Sequence, residues 1–237
     1  MKQVSICDYR VLAPHSVSEF AEYIINNKLG SFSSAIAVNP EKIVTSLEND
    51  SLRSTLLNAD ILYPDGIGVS SYMSRKLKHK VARVPGCELW EQLMLLAGER
   101  QLPVFLLGGT EQVVQQTKAK LISDFSTPIV GYMNGFYSDE DSIIEMIRVS
   151  RPSIVSVALG SPKQEIFIKK CKEFGLDCFF IGVGGTYDVF SGNMQRAPLF
   201  FRNLGLEWFY RLVKQPSRIF RQFKLIKFIL LVLRGRL

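Results

Sequence analysis

PVFLLGGTEQVVQQTKAKLISDF, residues 103–125, is the stretch on which the fold turns. The apolar run 104–107 is short enough for a buried strand, and the glycine pair Gly108-Gly109 supplies a tight turn at its end. Thr110 then offers a helix start signal ahead of Glu111, and the pattern over 111–125 is that of an amphipathic helix. The segment reads as one βα unit. Working outward, the same alternation recurs, with strands expected over 34–38, 129–131, 154–159 and 178–183. Helical patterns cover 16–26, 40–49, 86–101, 139–150 and 162–174, the fourth of these opening at Asp139 with Ser142 three residues on. Alternating βα units predict an α/β protein: a single Rossmann-like domain whose largely parallel sheet is flanked by helices. With no internal repeat and no low-complexity linker, residues 1–204 are expected to form that domain and residues 205–237 a tail.

Charge separates the two parts. Across its 237 residues the chain carries a formal net charge of +7. Residues 1–204 hold 21 Lys and Arg against 21 Asp and Glu, whereas residues 205–237 hold 8 basic residues against the single acid Glu207. Nucleic acid is not the expected partner, because the basic excess is confined to the tail and no helix-turn-helix or zinc-finger spacing is present. Cys7, Cys87, Cys171 and Cys178 form no C-x-x-C pair, and with the lone His15 and His79 they offer no metal-ligand cluster, so reduced, buried thiols are expected. The opening MKQVSICDYRVL lacks the long apolar run and cleavage site of a secretory signal, and no run of about 18 apolar residues occurs. A cytoplasmic chain that does not span the bilayer is the expectation.

In an open parallel sheet, ligands bind beyond the carboxyl ends of the strands, so chemistry is sought in the loops that follow them. Five loops stand out: Asn39-Pro40-Glu41-Lys42, Pro64-Asp65-Gly66-Ile67-Gly68, Gly108-Gly109-Thr110, Gly160 to Glu165, and Gly184 to Asp188. Gly108 and Gly109 open a helix whose first N–H groups suit a phosphate, although a tight strand-to-helix turn wants glycine in any case. GVGGTYD resembles the dinucleotide fingerprint but has Tyr187 where a third glycine belongs, which weakens a dehydrogenase reading. What remains is a glycine pair, Gly184 and Gly185, with Asp188 near enough to bond a ribose hydroxyl or a base edge. Asp65, at an apolar strand end running into a glycine turn, fits a general base or an ordinary turn aspartate. Arg83, ahead of Pro85-Gly86 and a new helix, suits an anion or is an ordinary surface arginine. Arg75, Lys76, Lys78 and Lys80 read as a solvated face. Gln164 and Glu165 stand at a helix start, where capping is the alternative to a site role.

NPEK, PDGIGV, RVPG, FLLGGT, GSPKQE, GVGGTYDVFSG, QRAP and GLEWFYRLVKQPSRIFRQ occur in an order that resembles the WecG/TagA/CpsF family of glycosyltransferases, from about Ala35 to Arg221. GSPKQEIF and GVGGTYDVFSG look closest to its WecG branch. The resemblance implies transfer of N-acetylmannosaminuronic acid from its UDP derivative to undecaprenyl-diphosphate-linked GlcNAc, a step of enterobacterial common antigen assembly. Other members use N-acetylmannosamine or other hexose donors for teichoic acid, capsule or exopolysaccharide. Carried over by position, the catalytic base is Asp65, and the substrate-binding residues are Asn39, Arg83 and Gln164, with Arg211, Arg218 and Arg221 from the tail. The nucleotide is expected against Gly108, Gly109, Gly184, Gly185 and Asp188. The family's Thr two positions before the Asn is Ala37 here, so one hydroxyl is lost or supplied by another group. The expectation is metal-independent catalysis with no cofactor, in which basic side chains and helix N-termini receive the leaving diphosphate.

Beyond Pro216, Ile219, Phe223, Ile226, Leu230 and Leu233 recur at helical spacing, with Arg218, Arg221, Lys224 and Lys227 around the rest of the surface. Such a basic amphipathic helix suits the anionic headgroup layer, and an enzyme of a polyprenyl-linked acceptor must work there, on the cytoplasmic face of the inner membrane. Packing on its own domain or in a homo-oligomer is the alternative for the apolar stripe. Two other functions fit the residues alone: a nucleotide-sensing membrane adaptor, which would survive loss of the Asp65 carboxylate, and a nicotinamide-dependent oxidoreductase, which would bind NAD at GVGGTYD.

Overall fold

The computed structural model describes residues 1–195, 197, 198, 200, 201, 210, 212 and 219–235. Its strands are β1 (Gln3–Ile6), β2 (Tyr9–Leu12), β3 (Ser33–Val38), β4 (Ile61–Pro64), β5 (Val104–Gly108), β6 (Ile129–Met133), β7 (Ile154–Ala158) and β8 (Phe179–Gly182). The helices are α1 (Val17–Asn27), α2 (Pro40–Ser46), α3 (Asp50–Leu57), α4 (Ile67–Leu77), α5 (Gly86–Glu99), α6 (Glu111–Phe125), α7 (Glu140–Ser150), α8 (Lys163–Glu173), α9 (Thr186–Phe190) and α10 (Ile219–Leu233). The strands make one eight-stranded sheet in the order β1-β2-β4-β3-β8-β7-β5-β6. Its pairings are parallel except for the β1–β2 hairpin, in which Ile6 faces Tyr9 across a Cys7-Asp8 turn.

The side-chain alternation of each strand sorts the core into layers. Val104 and Leu106 of β5 join α1, α5, α6 and α9 on one face, whereas Phe105 and Leu107 join α7 and α8 on the other. Ile36 and Val38 of β3 pack on that second face against α2, α3 and α4. Capping sets the helix starts: Ser16, Asn39, Asn49 and Thr110 each accept a backbone N–H three residues ahead. The helix expected over 40–49 ends at Ser46, and a further helix, α3, starts behind the cap Asn49, whose side chain accepts the Leu52 N–H at 2.9 Å. The basic run is a solvated face, with Arg75, Lys76, Lys78 and Lys80 all exposed. Arg75 and Lys76 form the last turn of α4, where cations complement the helix dipole, and Met73 of the same helix is fully buried.

This layering decides where a ligand can enter. β3 leads into α2 on one face, while its neighbour β8 leads into α9 on the other. β7 and β5, also neighbours, send α8 and α6 to opposite faces. Where the outgoing helices of adjacent strands part, the carboxyl edge of the sheet opens as a crevice.

Candidate active site

Backbone bonds gather the loops of the first crevice. The Asp65 N–H donates to the Val38 carbonyl at 2.9 Å, and the Val84 N–H donates to the Pro64 carbonyl at 2.8 Å. Asn39, Asp65 and Arg83 therefore stand side by side beyond β3 and β4, with Asp65 and Arg83 half-buried. Gly66, at φ +105, makes the turn after Asp65, and a Cβ there would lie 3.7 Å from that of Asn39. Asn39 Oδ1 accepts the Lys42 N–H at 2.8 Å as the cap of α2, which leaves its Nδ2 as the group able to donate to a substrate.

Gln164 crosses from α8 to the β8 loop. It is buried, its Oε1 accepts the Gly184 N–H at 2.9 Å, and its Nε2 donates to Glu165 Oε1 at 3.3 Å. Gly182 makes room for it, since a Cβ at that position would lie 2.6 Å from Gln164 Nε2. Lys42 Nζ reaches the same Glu165 oxygen at 2.9 Å. An unbroken chain thus runs from Asn39 through Lys42, Glu165 and Gln164 to Gly184. Reading the motifs alone passes over Lys42, and it leaves Glu165 open between capping and a site role. Both sit inside quoted motifs, NPEK and GSPKQE, but the cap position Pro162 makes no side-chain bond, so Glu165 does not serve as a capping partner.

The glycine turns assemble the second part. Gly108 takes φ +119 and lies so close to β7 that a Cβ would stand 2.4 Å from the Ala158 carbonyl oxygen. Gly109 donates to that same carbonyl at 3.3 Å and accepts the Gly135 N–H at 2.8 Å. The β6 loop is thereby tied to the turn, and Asn134 Nδ2 adds a bond to Glu111 at 2.7 Å. Phe136 projects from this loop with 81% of its surface exposed. A Cβ on Gly109 would touch Tyr187 of α9 at 3.8 Å, and one on Gly185 would approach Asp188 Oδ2 at 3.9 Å. All the expected site residues of the domain thus lie on the carboxyl edge, with Gly184 joining the two groups.

Tyr63 lies beneath Asp65. Its hydroxyl is fully buried without a hydrogen-bond partner, and burial raises its pKa well above the phenol range, with the charges of Asp65, Cys87 and Glu165 adding in the same direction. It remains a protonated donor. Its strand partner across the β3–β4 ladder is Ala37. Among the described residues, no group of three or more His, Cys, Asp or Glu could hold a metal ion.

The cysteines divide by environment. Cys171 and Cys178 are buried, while Cys7 and Cys87 are half-buried, so the expectation of buried thiols holds for two of the four. Burial pushes the Cys178 thiol up to about 12, with Asp177 adding to it, and raises Cys171 still further. At pH 8 a thiol reagent is expected to leave both unmodified in the native protein and to reach them on denaturation. Reagent counts before and after unfolding, with peptide mapping, check this.

At the far end of the chain α10 packs against α2. Phe228 is 2% exposed in the core shared by Ile43, Val44 and Val69, and a Cβ on Gly68, three residues past Asp65, would touch its ring at 3.6 Å. Lys224 Nζ donates to Thr45 Oγ1 at 2.7 Å, and Lys227 pairs with Glu48. These two lysines therefore meet the domain, not the headgroup surface their periodicity suggested. Phe223, Ile226, Leu230 and Leu233 stay exposed. Arg211 and Arg218 lie outside the described residues, as does the side chain of Arg221, whose backbone belongs to the first turn of α10. Among the described residues, no helix is long and apolar enough to cross a membrane.

A Rossmann-like sheet that collects a carboxylate, an arginine and amides on one side of its switch point and glycine turns on the other defines the class, an α/β protein with a candidate ligand site at its carboxyl edge. Residues 4–237 match the model of the Glycosyl transferase WecG/TagA/CpsF family, and the chain belongs to that family. It is a glycosyltransferase, and membership implies in general a nucleotide-sugar donor and a lipid-linked acceptor.

Proposed function

We propose that the enzyme transfers N-acetylmannosaminuronic acid, with inversion, from its UDP derivative to undecaprenyl-diphosphate-linked GlcNAc at the cytoplasmic face of the inner membrane. The observation that carries the reading is the position of Asp65, held by the Val38 carbonyl between Asn39 and Arg83 at the mouth of the crevice. Its carboxylate takes the proton from the acceptor hydroxyl as that oxygen attacks the anomeric carbon, and the carbon–oxygen bond to UDP breaks on the opposite face. Negative charge then grows on the leaving diphosphate. Arg83, the free N–H groups at the start of α6 and the tail arginines Arg211, Arg218 and Arg221 are the groups assigned to receive it. This assignment uses no metal or cofactor. Gly108, Gly109, Gly184 and Gly185 allow the nucleotide to approach the backbone, with Asp188 for a ribose hydroxyl or base edge.

Support for work at a membrane comes from α10, which turns Phe223, Ile226, Leu230 and Leu233 away from the domain that its Phe228 anchors. An apolar strip of this kind inserts at the headgroup boundary where a polyprenyl-linked acceptor is held.

The exposed ring of Phe136, on the loop bonded to Gly109, is assigned to the uracil base. Phe136→Ala is expected to raise the Kd for UDP about tenfold, in line with roughly 1–3 kcal/mol for one stacked base. Calorimetric titration with UDP checks it, and an unchanged Kd places the base elsewhere. For the reaction itself, the protein is incubated with lipid-linked GlcNAc and a panel of UDP-sugars. Transfer from the mannosaminuronic donor above all others supports the proposal. Preference for UDP-N-acetylmannosamine or another hexose moves the enzyme to a different polymer, and transfer from no mannosamine-type donor overturns it.

A further inference from the structure

Glu165 is 3% exposed, yet it is a carboxylate with, among the described residues, a single counter-ion, Lys42, itself largely buried. Its Oε1 meets both Lys42 Nζ at 2.9 Å and Gln164 Nε2 at 3.3 Å, while Oε2 is buried with no hydrogen-bond partner. The carboxylate lies on the wall of a cavity of about 50 Å³ between α3 and α8. Burying an ion pair in this way costs desolvation that an apolar pair would avoid, so stability alone is a poor reason for it.

The donor and acceptor pattern supplies another reason. The side-chain amide of Gln164 has two ends that differ only in hydrogen-bonding sense. The Gly184 N–H can only donate and so must meet Oε1, and an ionised Glu165 can only accept and so must meet Nε2. Turning the amide over would set donor against donor at Gly184 and acceptor against acceptor at Glu165. Lys42 keeps the charge in place, and because the Lys42 N–H also holds Asn39, the same lysine joins the cap of α2 to α8. The walls of the crevice supplied by β3, β7 and β8 are tied by this one chain.

We propose that Glu165 is a positioning residue for sugar transfer, acting through Gln164: with Lys42 it fixes the Gln164 amide in one sense and so holds the Gly184 turn against the donor. The inference rests on the glycosyltransferase reading of this crevice. It is tested in the full-length protein with Glu165→Gln, which keeps the shape and removes the charge, and with the paired variant Lys42→Met, Glu165→Gln, which leaves no lone buried charge. Two readouts are taken. The first is hydrogen exchange at the Gly184 amide, which reports on the clasp whether or not any sugar is transferred. It is expected to quicken about tenfold in Glu165→Gln while the β5 amides hold, and an unchanged Gly184 amide overturns the proposal. The second is transfer kinetics, where kcat is expected to fall on the order of 10²-fold with the donor KM nearly constant. In the paired variant thermal stability is expected to return toward wild type without kcat. Return of kcat together with stability makes the pair a structural brace and overturns the proposal. Absence of transfer by the wild-type protein with every donor would count against the transferase reading instead, and Gly184 exchange would then still decide the clasp.

Discussion

Asp65→Asn is expected to lower kcat for sugar transfer by about 10²–10⁴-fold while leaving the Kd for UDP unchanged, because the amide keeps the size of the side chain and cannot take up a proton. The backbone bond from Asp65 to Val38 does not involve the side chain, so the turn and its neighbours should persist. Loss of kcat with the donor KM retained is the pattern of an interaction made in the transition state, separable from loss of binding. Single-turnover transfer measured alongside UDP titration distinguishes the outcomes. Full activity in the variant would remove Asp65 from the chemistry. The adaptor reading predicts a different outcome: no transfer by the wild-type protein, with nucleotide binding and membrane recruitment that survive the substitution.

Phe228→Ala is expected to cost about 3 kcal/mol of stability, the usual range for truncating a fully buried phenylalanine, and to release α10 from α2. For a chain of this size that corresponds to a fall in Tm of roughly 6–12 °C. Its effect should extend to function. The ring packs where a Cβ on Gly68, in the first turn of α4, would touch it, and α10 also holds α2 through Lys224 and the segment after it through Lys227, so the helix braces from behind the two helices that follow the Asn39 and Asp65 loops. Transfer to lipid-linked acceptor and binding to anionic vesicles should both weaken, the first through the loosened loops and the second through the misplaced apolar strip. Calorimetry, vesicle co-sedimentation and transfer assays on the one variant test these together. A Tm equal to wild type would mean that α10 does not depend on this anchor. A chain truncated before Leu206 that transferred sugar at the full rate would reduce the tail to an attachment.

Much of the fold could be read along the chain. α6 runs over 111–125 as its periodicity indicates, and β5, β7 and β8 fall where short apolar runs end in glycine, since strands buried on both faces leave unbroken apolar stretches. The β1–β2 hairpin was not legible, because QVSI and YRVL each alternate over only four residues at the edge of the sheet. α3 lies beyond the stretch read as a helix over 40–49 and begins at a cap of its own, Asn49. α4 was hidden because its basic last turn looks like any solvated surface, while its buried side, Val69 and Met73, is too short a pattern to assert itself.

The carboxyl-edge loops were legible as well, because the rule that places ligands there needs only the strand order along the chain. The sequence by itself determined the class of fold, the family motifs, the catalytic candidate Asp65 and the concentration of positive charge in residues 205–237, since each depends on residue type and local spacing. Only the tertiary structure decided that Lys42 and Glu165 join Asn39 to Gln164, that Phe136 stands beside the Gly109 turn, and that Lys224 and Lys227 face the domain. The contacts that bring distant segments together, Lys42 to Glu165, Gly135 to Gly109, Lys224 to Thr45 and Lys227 to Glu48, span from 26 to 179 positions. Which of two faces a lysine serves, or which end of an amide meets an N–H, depends on what the packed sheet brings opposite it.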